Sequence, residues 1–480
     1  MIPSQKKMMH QPGRREFLSL AATAALPAAQ SSDPAWMTIA EAAALIRRKR
    51  LSPVELTRAC LARTEALQSR LNAFITITAD AALAAARAAE AEIARGRYRG
   101  PLHGIPIALK DLYDTAGVRT TAGSAQWQSR VPAEDAEVVK RLKAAGAILT
   151  GKTNMDEFAY SFTAESSHFG PSRNPFDPAR SPGGSSGGSA VAVAAGMCLA
   201  ALGSDTGGSI RLPAALCGLS GLKPTFGVVP TAGVAPLSWS CDHVGPLCRT
   251  AADTALVHAI LAGTPVPVLP KVKTLRLGVP KRVFFDDLEP VMASAMDAAL
   301  RQLGQLTAGV EDIRLPEFAV NPEAANMPVL TGILIAAEAH AFHRQMLAGS
   351  PGLYSPGIRQ SIENGAKIAT ADYIHARRAV DEARAAIADA FGPADLLITP
   401  AAPGPAFPLG KPVTLIWLRN SAPWNLYGLP TLALPCGATP EGLPLGMQIT
   451  GKPGREDQVI ALGQAWQQAT SHHRLRPSGL

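Results

Sequence analysis

Two segments dense in glycine and serine, together with one lysine, carry the side chains best suited to chemistry. The first segment reads Ser181-Pro182-Gly183-Gly184-Ser185-Ser186-Gly187-Gly188-Ser189. The second, about twenty residues on, reads Gly203-Ser204-Asp205-Thr206-Gly207-Gly208-Ser209-Ile210-Arg211. Glycine opens backbone geometries closed to other residues and lets N–H groups approach a ligand. A run of such N–H groups at a helix start suits negative charge, either a phosphate or a developing oxyanion. A flexible linker would not be flanked so tightly by apolar sequence. The lysine is Lys110, which follows the apolar run Ile105-Pro106-Ile107-Ala108-Leu109. Burial makes an ammonium costly and lowers its pKa, so a buried lysine can act as a base. A lysine ending a strand also commonly reaches solvent, and the residue alone leaves both readings open.

These residues must be held by regular elements. Strands are expected at 105–109, 147–150, 275–279, 396–399, 431–435 and 446–450. Helices are expected at 36–50, 53–69, 79–95, 134–145, 290–303 and 457–470, and mostly helix at 190–202, 323–347 and 355–391. Thr38 and Ser52 are expected N-caps, with Glu41 and Glu55 three residues later completing capping boxes. Strands alternating with helices argue for an α/β architecture. Lys110 then closes a strand, and both serine segments become loops feeding helical sequence.

The segments GIPIALKD around Lys110, GKTNMDEFAYSFTAESSHFGPSRNP from Gly151, SPGGSSGGSA around Ser185 and GSDTGGSIRLPAALCGLSGLKPTFG around Ser209 resemble the amidase signature family, whose members hydrolyse carboxylic amides with a Ser-Ser-Lys triad. LITPAAP from Leu397, APWNLYGLPTLALPCG from Ala422 and GLPLGMQITG from Gly442 extend the resemblance from about Ile39 to Thr470. The resemblance implies a mixed β-sheet core flanked on both sides by helices, with a helix-rich lobe over the site. It implies Ser209 as the nucleophile that forms an acyl-enzyme. Ser185, on a cis peptide, relays the proton, and Lys110, neutral at rest, is the final base. The backbone N–H groups of Thr206, Gly207, Gly208 and Ser209 would form the oxyanion hole, with Asp205, Arg211 and Ser186 supporting. No cofactor and no metal are implied. The domain is expected to span 33–480, with N-terminal helices at 36–95, a catalytic core at 100–270, the lobe at about 280–390 and a return to the core at 395–470.

Composition agrees with a globular chain. Of 480 residues, 47% are hydrophobic and 18% charged, which excludes disorder of the low-hydropathy, high-charge kind. The longest apolar run in the body, 190–202, is broken by Gly196 and is too short to span a bilayer. The net charge of +8 includes four basic residues and one acidic residue within 1–32. The remainder is dispersed, with no basic stripe for nucleic acid. Expected partners are a small-molecule amide and water, with a homodimer left open.

Residues 1–32 read as an address. Lys6 and Lys7 precede Arg14-Arg15, a mild apolar stretch from Leu20 to Leu26, and the small residues Ala28, Ala29 and Ser31. This resembles a twin-arginine signal and points to the periplasm, with the cytoplasm as the alternative. Cys60, Cys198, Cys217, Cys241, Cys248 and Cys436 show no metal-binding spacing. Export would open the option of a Cys241–Cys248 bridge.

Other patterns compete. Gly146 to Thr153 matches a phosphate-binding loop, yet its apolar middle reads as a strand where a loop is needed. Gly183-Gly184-Ser185-Ser186-Gly187 matches a nucleophile elbow, which would make Ser185 the nucleophile of a serine esterase; no preceding strand or partner histidine is evident. Ser220 and Lys223 form an SxxK pair without its companion motifs. Glu338, His340 and His343 read as a polar helix face. The A-type subunits of glutamine-dependent tRNA amidotransferases are the competing subgroup. They carry an Arg-Arg pair where this chain has Arg359-Gln360, which favours a stand-alone hydrolase. Specificity is expected from the lobe and from segments near Tyr160 and Trp424, which lack a charged anchor and so suit apolar acyl groups.

Overall fold

A computed structural model describes residues 33–315 and 327–480; residues 1–32, where a twin-arginine-like signal was expected, lie outside the described residues. The core is a mixed sheet of strands β1 (Phe74–Ile77), β2 (Pro106–Lys110), β3 (Ile148–Thr153), β4 (Ala200–Asp205), β5 (Ser220–Lys223), β6 (His243–Cys248), β7 (Arg276–Val279), β8 (Gly309–Asp312), β9 (Leu396–Pro400), β10 (Thr431–Ala438) and β11 (Pro444–Gly451). Their order is β1-β3-β2-β4-β6-β5-β10-β11-β9-β7-β8. β2 runs parallel to both β3 and β4, while β4–β6, β6–β5, β5–β10 and β10–β11 are antiparallel.

Side-chain alternation sorts the sheet into two buried faces. Ala108, Ala201, Leu247 and Ala433 pack against the helix Gly187–Ala194 on one face. Ile107, Leu109, Ala200, Leu202 and Val244 pack on the other, against Val257 and Leu261 of the helix Ala251–Ala262 and against Val139. The small residues on the first face let that helix lie close to the strands. Lys110 follows Ala108 by two residues, so it leaves the end of β2 on that same close-packed face.

The expected strands are present as β2, β3, β7, β9, β10 and β11, and the structure adds β1, β4, β5, β6 and β8. The expected helix at 190–202 is a correction. It ends at Ala194, because Gly196 turns the chain at φ +71°, and β4 follows. Thr38 and Glu41 form the complete capping box. Ser52 caps its helix through the N–H groups of Val54 and Glu55, but its hydroxyl donates to Glu90 and Glu55 does not reach back. The expected 355–391 helix is two, Pro356–Gly365 and Thr370–Ala390, packed with Met327–Gly349. No helix among the described residues is long and apolar enough to cross a membrane.

All six cysteines are buried and unbridged. Cys248 ends the extended strand β6, whose start at His243 lies about 16 Å away at roughly 3.3 Å per residue. Cys241 precedes that start by two residues, too few to carry it back along the strand. A disulfide needs Cα atoms within about 7 Å, so the Cys241–Cys248 option is withdrawn.

Candidate active site

The two serine loops and the end of β2 converge. Lys110 is fully buried, and its Nζ lies 2.7 Å from Ser185 Oγ and 2.8 Å from Ser204 Oγ. Burial lowers the Lys110 pKa from 10.5 to about 7, against the opposing pull of Asp156, Asp205 and Asp242. Ser185 follows a cis peptide from Gly184. Its carbonyl accepts from Asp156 N–H at 3.3 Å. Asp156 is itself held by Ala164 N–H at 2.9 Å and by Ser166 N–H and Oγ at 3.0 and 2.8 Å.

Ser209 lies on the facing loop, where its carbonyl accepts from Ser186 N–H at 3.2 Å. Ser186 also bridges to β4, donating its hydroxyl to the Ser204 carbonyl at 3.2 Å and accepting from Ser204 N–H at 3.3 Å. Ser209 differs from Ser185 in two ways. It keeps a small exposure of 7%, against 0% for Ser185. Its hydroxyl also has no hydrogen-bond partner among the described residues, so Ser185 touches Lys110 but Ser209 is not bonded to Ser185.

A buried ion pair fixes the loop. Arg211 forks onto Asp205, with Nη2 2.8 Å from Oδ1 and Nε 3.0 Å from Oδ2. Such paired geometry is what makes a buried charge tolerable. Burial pushes the Asp205 carboxyl up, but the Arg211 guanidinium beside it holds it well below the usual carboxylate range. Asn425 donates to both the carbonyl and Oδ1 of Asp205 at 2.8 Å. Gln448 Oε1 accepts from Arg211 at 3.0 Å.

Asp205 also takes the N–H groups of Gly208 at 2.8 Å and Ile210 at 3.1 Å. The Gly208 N–H is thereby committed internally, unlike the role expected for it. The N–H groups of Thr206, Gly207 and Ser209 have no partner among the described residues, and they are the donors left to face a ligand. Gly208 holds φ +136°, and a Cβ there would strike Ser421, whose hydroxyl donates to the Gly207 carbonyl at 2.7 Å.

Sequence reasoning gave no role to Ser204, Asp156, Asn425, Ser421, Gln448 or Asp242. Ser204, Asp156, Asn425 and Gln448 sit inside the family-like motifs, which was their only signal.

The competing patterns come apart. Lys152 of the phosphate-loop match lies in β3 and donates to Tyr113 C=O at 2.6 Å and Thr120 Oγ1 at 2.7 Å. Lys223 donates to Pro224 C=O, while Ser220 accepts from Gln467. Glu338 and His343 are a correction, being buried where a polar face was expected. Glu338 accepts from Ser238, Ser240 and Tyr373, while His343 packs among Phe158, Phe342 and Tyr354. Trp424 is fully buried and stacked on Phe284 at 5.1 Å, so its ring is packed inside the fold.

Comparison with known proteins matches this architecture. The A-type subunit of the glutamyl-tRNA(Gln) amidotransferase of Chloroflexus aurantiacus is 40% identical over 478 residues, covering 92% of this chain and 98% of that one. An amidase of Pseudomonas putida is 40% identical over 468 residues, covering 92% and 97%. A solved amidase structure superposes with a TM-score of 0.84 at 38% identity, covering 90% of this chain and 99% of its own. Residues 55–460 match the family model described as Amidase. A match over most of the chain, with a mixed sheet carrying the serine loops and Lys110 together, places this protein in the amidase family.

Proposed function

We propose that this enzyme cleaves a carboxylic amide through a Ser209 acyl-enzyme, with Ser185 and Lys110 as the proton relay. The difference between the two serines carries this reading. Ser185 is fully buried and already engaged with Lys110, whereas the Ser209 hydroxyl is unengaged and the residue keeps slight exposure. The Ser209 oxygen attacks the amide carbonyl, and its proton passes to Ser185 Oγ as the Ser185 proton passes to Lys110 Nζ. The carbonyl oxygen becomes an oxyanion faced by the free N–H groups of Thr206, Gly207 and Ser209. The C–N bond then breaks, and the proton returns through Ser185 to the leaving nitrogen. Water attacks the ester with the relay reversed, releasing carboxylate. Hydrogen bonds in unliganded sites are commonly open and close with substrate, which suits the unbonded Ser209.

The wall beside the loop is apolar. Leu418 Cδ2 lies 3.5 Å from where a Gly208 Cβ would be, and it packs in one cluster with Phe162 and Trp417. An apolar acyl group fits that wall. Similarity to the amidotransferase chain supports glutamine as an alternative substrate. Against it, Arg359 is exposed and paired with Glu363 at 3.2 Å, so it offers no anchor for a glutamine carboxylate. Residues 1–32 support an export route, which N-terminal sequencing of the mature protein from fractionated cells would decide.

The mechanism is tested by treating the full chain with a fluorophosphonate and locating the adduct by mass spectrometry. Ser209 should carry it, and Ser209→Ala should lose turnover while keeping the thermal midpoint. An adduct on Ser185 would instead support the elbow mechanism.

A further inference from the structure

The loop that carries the three free N–H groups has an outside tether that the mechanism above does not use. Thr206 Oγ1 donates to Asp242 Oδ1 at 2.6 Å. Among the described residues this is the hydrogen bond that the Thr206 side chain makes, and its backbone N–H makes none. The other carboxylate oxygen of Asp242 accepts from Leu237 N–H at 2.9 Å and Ser238 N–H at 3.0 Å.

The 237–242 segment is in turn gripped by the helical layer. Glu338, on the helix Met327–Gly349, accepts from Ser238 Oγ at 2.6 Å and Ser240 N–H at 3.0 Å, and also from Ser240 Oγ. Tyr373 donates to the same carboxylate at 2.9 Å, and Arg384 donates to Ser240 C=O at 2.8 Å.

We propose that Asp242 is a positioning residue of this enzyme: by holding the Thr206 hydroxyl it aims the free amides of the oxyanion loop, and Glu338 holds the segment that carries Asp242. The proposal rests on reading Ser209 as the nucleophile. Asp205 and Ser421 already secure Gly208 and the Gly207 carbonyl. Between the anchored Asp205 and the held Gly207 carbonyl, the Thr206 side chain is the remaining handle on the peptides whose N–H groups are free.

Glu338 resists the ionisation of Asp242, and the Asp242 charge in turn helps to keep Lys110 protonated and adds to the rise of the adjacent Cys241 thiol. Burial raises the Asp242 pKa to about 6. At pH 8 the carboxylate is therefore ionised and Lys110 is neutral, and kinetics belong there.

Thr206→Val keeps the shape and removes the hydroxyl. It should lower kcat about 10-fold with KM within about twofold, since the donors act on the transition state, and Thr206→Ser should restore most of the loss. Asp242→Ala should match Thr206→Val, and the double variant should be no worse than either single change. Asp242→Asn can accept from the two N–H groups and donate to Thr206. It should lose less kcat than Asp242→Ala but move the rising limb of the pH profile to lower pH, because a negative charge near Lys110 is gone. That shift reports the lost charge near Lys110, whereas the kcat loss in Thr206→Val and its recovery in Thr206→Ser report the positioning. Wild-type kcat in Thr206→Val, additive losses in the double variant, or no recovery in Thr206→Ser would each overturn the proposal. If Asp242→Ala fails to fold, the two Thr206 variants still decide. Fluorophosphonate labelling of the wild type separates the two levels: a label away from Ser209 sinks the catalytic reading, whereas a label on Ser209 with fully active Thr206→Val sinks this proposal alone.

Discussion

Ser204→Ala is the most informative change outside the three proposed catalytic residues. Lys110 Nζ touches two hydroxyls, those of Ser185 and Ser204. A lysine held near 7 instead of 10.5 reports a bias of about 5 kcal/mol against its ammonium form. Ser204 works against that bias, because a hydroxyl accepts more strongly from an ammonium than from a neutral amine. Hydrogen bonds to charged groups are worth about 1.5–3 kcal/mol and neutral ones about 0.5–1.5, a difference of about 1 kcal/mol. Ser204→Ala should therefore lower the Lys110 pKa by about 0.7. The rising limb of kcat/KM should move from about pH 7 toward pH 6. The plateau should also fall about fivefold, since one neutral hydrogen bond that orients the amine is lost. The assay is kcat/KM for an aryl amide between pH 5 and 9 in wild type, Ser204→Ala and Ser204→Thr, with threonine expected to restore both limb and plateau. A limb that stays put or moves to higher pH would refute the reasoning, because Ser204 would then not stabilise the ammonium. The wild-type profile checks the same logic: activity should rise through neutrality and flatten above pH 8.

Asp205→Asn should destabilise the chain by about 3–5 kcal/mol, because it strands Arg211 as a buried cation without its counter-charge; urea unfolding midpoints at constant slope would measure it, and a loss below 1 kcal/mol would contradict the packing. Burial pushes the thiols of Cys60, Cys241 and Cys436 up to about 12, and all six cysteines are buried. The native protein should therefore be silent to a thiol reagent at pH 8 and titrate six thiols in denaturant, whereas fewer than six would reveal a disulfide.

The sequence made some parts of this site legible and hid others for identifiable reasons. Lys110 was readable because an apolar run ending in lysine is a local pattern, and the surrounding motif supplied its partner. β4 was hidden because 190–202 is uniformly apolar, and a buried strand and a buried helix look alike by periodicity; only the left-handed turn at Gly196 separates them. With β4 unread, Ser204 looked like part of a loop, although it closes a strand beside Lys110. Asn425 and Gln448 fall within family-like motifs but had no evident role, because their partners Asp205 and Arg211 lie more than 200 residues away in the chain. Contacts of that range carry no local signature. Glu338 and His343 read as a solvated face because spacing shows which residues share a helix side but not what packs on it.

Two buried basic side chains of the site, Arg211 and Lys110, are treated in opposite ways, and the difference suits one to a fixed charge and the other to the proposed role of base. Arg211 is buried with a forked carboxylate and further oxygen acceptors, so its charge is matched donor by donor. Arginine suits that task because it does not deprotonate. Lys110 is equally buried but meets two neutral hydroxyls, and the carboxylates of Asp156, Asp205 and Asp242 act on it only through space. Their attraction limits how far the pKa falls, and burial still outweighs it, leaving the amine poised near neutrality. A carboxylate in contact with Lys110 would restore the ammonium and remove the base. An arginine in its place would never release the proton. In the proposed mechanism the neutral character of Ser185 and Ser204 is therefore as necessary as the lysine: their hydroxyls fix the amine in position without supplying the charge that would keep it protonated.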